Sequence, residues 1–190
     1  MSILTLPRNN QETVDLISKN IADNYPFDFD KSSDIYKENE ILVTQTNCYV
    51  YALGSTVPLE QQRHLYGKPG TISGRLNHNL QESDKDTFLR RCIEDIEFLN
   101  LPKLVGKSAL EILVYIKNCY NPIMQDNTGI SGFHMVRRDS DDTYSHKPGW
   151  EDAPEEINPE LSYGRHKFAG RIVVANSGVI VKSNLSDIEQ

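Results

Sequence analysis

Among the 190 residues, three cysteines and five histidines are the side chains whose types open nucleophilic or metal-binding chemistry. Cys48 stands apart from the other two thiols. It follows Thr46 and Asn47, both good helix caps, in the run TNCYVYALGS, which ends at Gly54. A cysteine in the first turn of a helix meets unpaired backbone N–H groups and the positive end of the dipole, so its pKa is expected to fall. Cys92 lies on an apolar helical stripe and Cys119 shortly precedes Pro122 at a strand end, positions that suit small buried hydrophobes.

A thiolate alone is a poor catalyst of acyl transfer, because the leaving amine needs a proton; an imidazole must supply it. His134 is the candidate base. His146 lies 12 residues further on, and the two straddle the Asp139 to Asp142 turn almost symmetrically. A β-hairpin sets such a pair on adjacent strands, about opposite each other and on one face. His146 would then bond the ring nitrogen of His134 that faces away from sulfur and fix its tautomer. For the oxyanion hole, the Cys48 backbone N–H is one donor and the side-chain amide of Gln45 or Asn47 the second. Gln45 is preferred, since Asn47 is expected to serve as the helix cap.

Two other readings of these residues stand beside that one. The histidines can be ordinary half-buried sheet residues, or join Cys48 as three ligands of a zinc ion, although zinc sites usually draw two ligands from one short loop or turn. No cofactor or metal is expected. His64, His78 and His166 sit in polar loop contexts and are expected to be solvent-exposed. Arg137, Arg138 and Lys147 project from the hairpin and read as strand-edge charges that discourage aggregation.

The elements that must position these groups follow from periodicity. Residues 10–24 carry Val14, Leu16, Ile17, Ile21 and Ala22 at helical spacing, and residues 25–40 read as an irregular connector. Cys48 leads a short helix. KPGTISG prescribes turns, Ser83-Asp84 caps a longer helix through Phe88, Cys92, Ile96 and Leu99, and residues 110–117 read as a buried strand. The hairpin comes next, and Phe168 to Ala175 forms a final strand followed by an Asn176-Ser-Gly turn.

Composition bounds the function. With 38% hydrophobic and 25% charged residues the chain reads as one globular domain, and a net charge of -7 repels phosphate backbones and anionic membrane surfaces. Nucleic acid is not an expected partner, and no run is apolar enough to span a membrane. The opening MSILTLPRNN lacks the basic and apolar regions of a signal peptide, so synthesis in a cytoplasm is expected, with signal-independent secretion left open. An odd cysteine count suits a reducing compartment.

The order of a cysteine at a helix start, a histidine on a sheet strand and a polar residue on the next strand resembles the papain-like cysteine hydrolases. Within that group the spacing of His134 and His146 resembles the Cys-His-His set of bacterial cell-wall amidopeptidases. Asn47-Cys-Tyr-Val-Tyr-Ala-Leu, Pro69-Gly-Thr-Ile-Ser-Gly and the block from Phe133-His to Ser145-His-Lys-Pro-Gly are similar to uncharacterised bacterial proteins carrying NCYxYAL, PGxxSG and SHKPG motifs. Asp142 and Tyr144 stand where glycine and tryptophan are common in that pattern, and neither departure removes a catalytic group.

The resemblance implies an α+β, papain-like fold with N-terminal helices packed against an antiparallel sheet. It would occupy residues 1–190 as a single domain, comprising a helical extension (1–40), a catalytic core (41–176) and a C-terminal tail (177–190). It implies a cysteine peptidase or amidase cleaving an amide or isopeptide bond through a Cys48 thioester, acting on a protein or peptide substrate. A secreted bacterial effector or toxin, paired with an inhibitor or immunity protein, is the expected setting. A glutamine deamidase or transglutaminase is the alternative chemistry, and a non-catalytic binding module the alternative class.

Overall fold

The computed structural model describes residues 46–54, 67–73, 79–105, 109–139, 142–149, 152–160 and 162–183. The helix expected over residues 10–24, the connector after it, and His64 and His78 lie outside the described residues. Among the described residues, three α-helices precede the sheet: α1 (Cys48–Ala52), α2 (Lys85–Phe98) and α3 (Leu101–Leu104), with a 3₁₀ helix at Leu80–Glu82. Asn47 caps α1 through bonds from the Tyr49 and Val50 amides, and Gly54, at φ 76°, ends it in the left-handed region. Asp84 caps α2 by accepting from the Thr87 amide.

The strands are β1 (Leu110–Asn121), β2 (Asp126–Arg138), β3 (Tyr144–His146), β4 (Glu155–Glu156), β5 (Ser162–Tyr163), β6 (His166–Ala175) and β7 (Gly178–Lys182). They form an antiparallel sheet of order β4-β3-β2-β1-β6-β5, with β7 paired to β6. The architecture is α+β. β1 runs four residues past the expected strand end at 117, and residues 178–182, expected as tail, pair with β6 as a strand. The alternation of Val179 and Val181 with Gly178 and Ile180 was too short to separate from tail composition.

Side-chain alternation gives the sheet two apolar faces. On one, Ile112, Val114, Ile116, Met135 and Ile172 meet Tyr49, Leu53, Phe88, Cys92 and Ile96 from the helices. Phe133 joins that layer with its ring centroid 5.4 Å from Phe88. On the other face Leu113, Tyr115, Val136 and Tyr144 meet Ile157, Tyr163 and Phe168. Phe88 is fully buried, and each side chain of that size contributes about 1.5–3 kcal/mol by leaving water.

The β2–β3 hairpin turns at Asp142, which takes φ 67°, a left-handed conformation that Asp tolerates. Its register is Val136↔His146, so His146 lies two residues along from the position opposite His134. A two-residue offset keeps both histidines on one face, as a one-residue slip would not.

Candidate active site

His134 and His146 stand on the face that carries Tyr163. The His134 Nε2 to His146 Nδ1 distance is 2.7 Å, and the Tyr163 ring stacks on His134 at 4.1 Å, nearly parallel at 13°. His146 Nε2 lies 3.1 Å from Glu155 Oε1 on β4, its register partner. These contacts fix the proton positions. A carboxylate only accepts, so His146 Nε2 donates to Glu155; His146 Nδ1 then holds the lone pair and accepts from His134 Nε2–H. The basic nitrogen of His134 is therefore Nδ1.

Cys48 opens α1, on the helix face of the sheet. Its sulfur is hydrogen-bonded by the backbone of Met135, the residue after His134, and lies within electrostatic reach of Lys147, the residue after His146. Tyr163, which stacks on His134, also feels the Cys48 charge. The thiol thus lies near the residues that follow the two histidines. Among the described residues, however, no hydrogen bond joins the sulfur to the His134 ring.

A cavity of about 560 Å³ opens on Cys48, lined by it and by Gly67, Gln81, Gly132, Phe133 and Gly149 among others, with neither His134 nor His146 in its lining.

The charge states differ from the sequence expectation. Burial pushes the Cys48 thiol up to about 11, outweighing the backbone bonds from Met135 and Tyr49 and the Lys147 charge that pull it down. The favourable N–H groups are present, but desolvation of a thiolate is the larger effect. Burial, followed by repulsion from His146 and His166, holds His134 down at about 3. His146 is lowered by burial, against the pull of Glu155. The resting pair is a neutral thiol and a neutral imidazole.

Gln45 lies outside the described residues. Asn47 Oδ1 is taken by the helix cap and one Nδ2 hydrogen by a 2.7 Å bond to the Gly67 carbonyl, which leaves its second N–H, on a residue that lines the cleft beside Cys48. His166 is half-buried, with its ring 6.4 Å from that of His134, rather than a solvent-exposed loop residue, because β6 begins at it. Cys92 is buried in the core as expected.

Arg137 and Lys147 are fully buried rather than being strand-edge charges. Arg137 faces α1, where its guanidinium lies 4.6 Å from the Tyr51 ring centre and bonds Asp139 Oδ1 at 2.6 Å. Tyr51 Oη in turn meets Ser145 Oγ at 2.6 Å. This network fastens the Cys48 helix to the hairpin that carries the histidines. Arg138 remains on the surface, 2.7 Å from Asp142.

Asp95 and Glu155 escaped the sequence reading. Asp95 lies within the apolar stripe of α2, three residues after Cys92, and a carboxylate there is a readable signal of a buried partner. It accepts from Tyr49 Oη at 2.6 Å and from the Gly70 and Ser73 amides at 2.7 Å each, pinning the 67–73 turns against the cleft. Glu155 stands on a strand of two residues, too short for any periodicity to show.

Comparison with protein-family models, with curated proteins and with solved structures finds no match.

Proposed function

We propose that the chain is a papain-like cysteine hydrolase acting on an amide or isopeptide bond of a protein or peptide, with Cys48 as nucleophile and His134 as base. The observation that carries this reading is the Glu155–His146–His134 relay. It leaves His134 Nδ1 basic, one residue from the peptide unit that binds the Cys48 sulfur.

The neutral resting pair sets the order of events. As sulfur attacks the carbonyl carbon, His134 Nδ1 takes the thiol proton, the S–C bond forms and the carbonyl π electrons move to oxygen. Collapse breaks the C–N bond, the nitrogen takes that proton from His134, and a thioester remains on Cys48. Water, deprotonated by the same imidazole, releases the acid and restores the thiol. His146 and Glu155 hold the ring and share the positive charge it carries between the two transfers. Ammonia as leaving group gives glutamine deamidation, and an amine in place of water gives transamidation.

Intact-mass detection of an acyl adduct during turnover of peptidyl and glutaminyl amides tests this. The adduct should fall on Cys48 and vanish, with the activity, in Cys48→Ala; full activity in that variant contradicts the proposal. A second reading, a non-catalytic binding module, is favoured by one observation: burial leaves both thiol and imidazole uncharged. In that case the histidine pair only ties β2 to β3, and no adduct forms with any amide.

A further inference from the structure

Lys147 follows His146 at the end of β3, and its side chain is entirely buried. Its ammonium donates one hydrogen bond, to the carbonyl of Gly149, a residue of the cleft wall. An ammonium has three donors, and among the described residues this carbonyl is its sole acceptor, with no carboxylate at ion-pair distance. A buried cation so poorly matched is costly unless a negative charge faces it.

The groups around it are few. Cys48, at the start of α1, and Asp152, in the loop after β3, both favour its charged form, and Lys147 in turn favours the thiolate of Cys48. Across the site stand the phenol of Tyr163 on β5 and Glu155 on β4, while His134 and His146 are held neutral by burial. Lys68 lines the same cleft from the 67–73 segment but is exposed.

We propose that Lys147 is the cation of the Cys48 site, a buried ammonium with donors to spare that stabilises the sulfur as thiolate when the proton leaves. The assignment rests on Cys48 being the nucleophile, and it adds a positive group that the Cys-His-His set does not contain. Desolvation opposes the charge on Lys147 and brings its pKa down to about 8, so its effect on the thiol is present below that pH and lost above it.

The test is the rate of Cys48 alkylation by iodoacetamide in the native full chain between pH 6 and 10, located by mass spectrometry. Lys147→Met should lower the rate about tenfold at pH 7, as a change of one pKa unit does, and the two curves should converge above about pH 9. Lys147→Arg should keep the rate at pH 7 and hold it above the Met variant at pH 9. Identical profiles for the wild type and Lys147→Met overturn the proposal.

Should Lys147→Met not fold, Asp152→Asn on the exposed loop removes a charge that supports the ammonium, and the pH above which the cation's effect fades should drop; an unmoved profile overturns the proposal equally. The nucleophile reading fails separately. In that case His134→Ala alkylates like the wild type while the Lys147→Met deficit persists.

Discussion

Asp95→Ala removes the carboxylate that holds the 67–73 turns and the Tyr49 hydroxyl together. Three donors lose their acceptor: Tyr49 Oη, the Gly70 amide and the Ser73 amide. At about 1–3 kcal/mol for each orphaned buried donor the loss would reach about 3–9 kcal/mol. Two effects reduce it. Burial outweighs those bonds and holds the Asp95 carboxyl above its ordinary range, so deletion also relieves a desolvated charge. The Tyr49 hydroxyl can rotate. A loss of about 2–4 kcal/mol remains, a large share of a domain's stability of about 5–15 kcal/mol.

With a urea slope of about 1–3 kcal/mol/M, the unfolding midpoint should drop by about 0.7–4 M at unchanged slope. Exchange of the Gly70 and Ser73 amides should quicken together. Asp95→Asn should fall between the variant and the wild type, because one carbonyl oxygen survives and the new N–H groups face donors. A midpoint equal to that of the exposed control Glu97→Ala, on the same helix, would refute the reasoning.

Gly129→Ala would place a Cβ 2.3 Å from the Gln81 carbonyl oxygen, so the 3₁₀ helix that walls the cleft must shift. A loss of about 1–3 kcal/mol in urea unfolding is expected, and an unchanged midpoint would contradict the close approach. For pH dependence, His134 titrates near 6.5 when unfolded and about 3 when folded, so the unfolded chain binds more protons between these values. The stability this contributes is full above about pH 6.5 and is lost as pH falls toward 3. His134→Gln should therefore flatten the acid side of a stability profile measured from pH 7 to 4, and an identical slope would count against the buried neutral ring.

The hairpin was legible because its signals are local: alternating side chains on either side of an Asp-rich turn fix both the face and the pairing of His134 and His146 to within two residues. The helix led by Cys48 was legible from its capping residues for the same reason. Charge states were not, since they depend on burial that no local pattern reports. The backbone N–H groups promised a lowered Cys48 pKa, and desolvation reversed its sign. Arg137 and Lys147 read as surface charges because alternation tells which face a strand residue occupies but not what covers that face. Glu155 reaches His146 only through the β3–β4 pairing, a contact between short strands separated by a loop.

The central claim is that Cys48 and His134 act as one unit, and native iodoacetamide labelling from about pH 5 to 9, with the modified residue located by mass spectrometry, tests it most directly. Cys48 should be modified, and more slowly in His134→Ala near neutral pH, with the half-buried Cys119 as internal reference. Labelling of Cys48 at the same rate in the wild type and His134→Ala, or none at Cys48 in the folded protein, would contradict it.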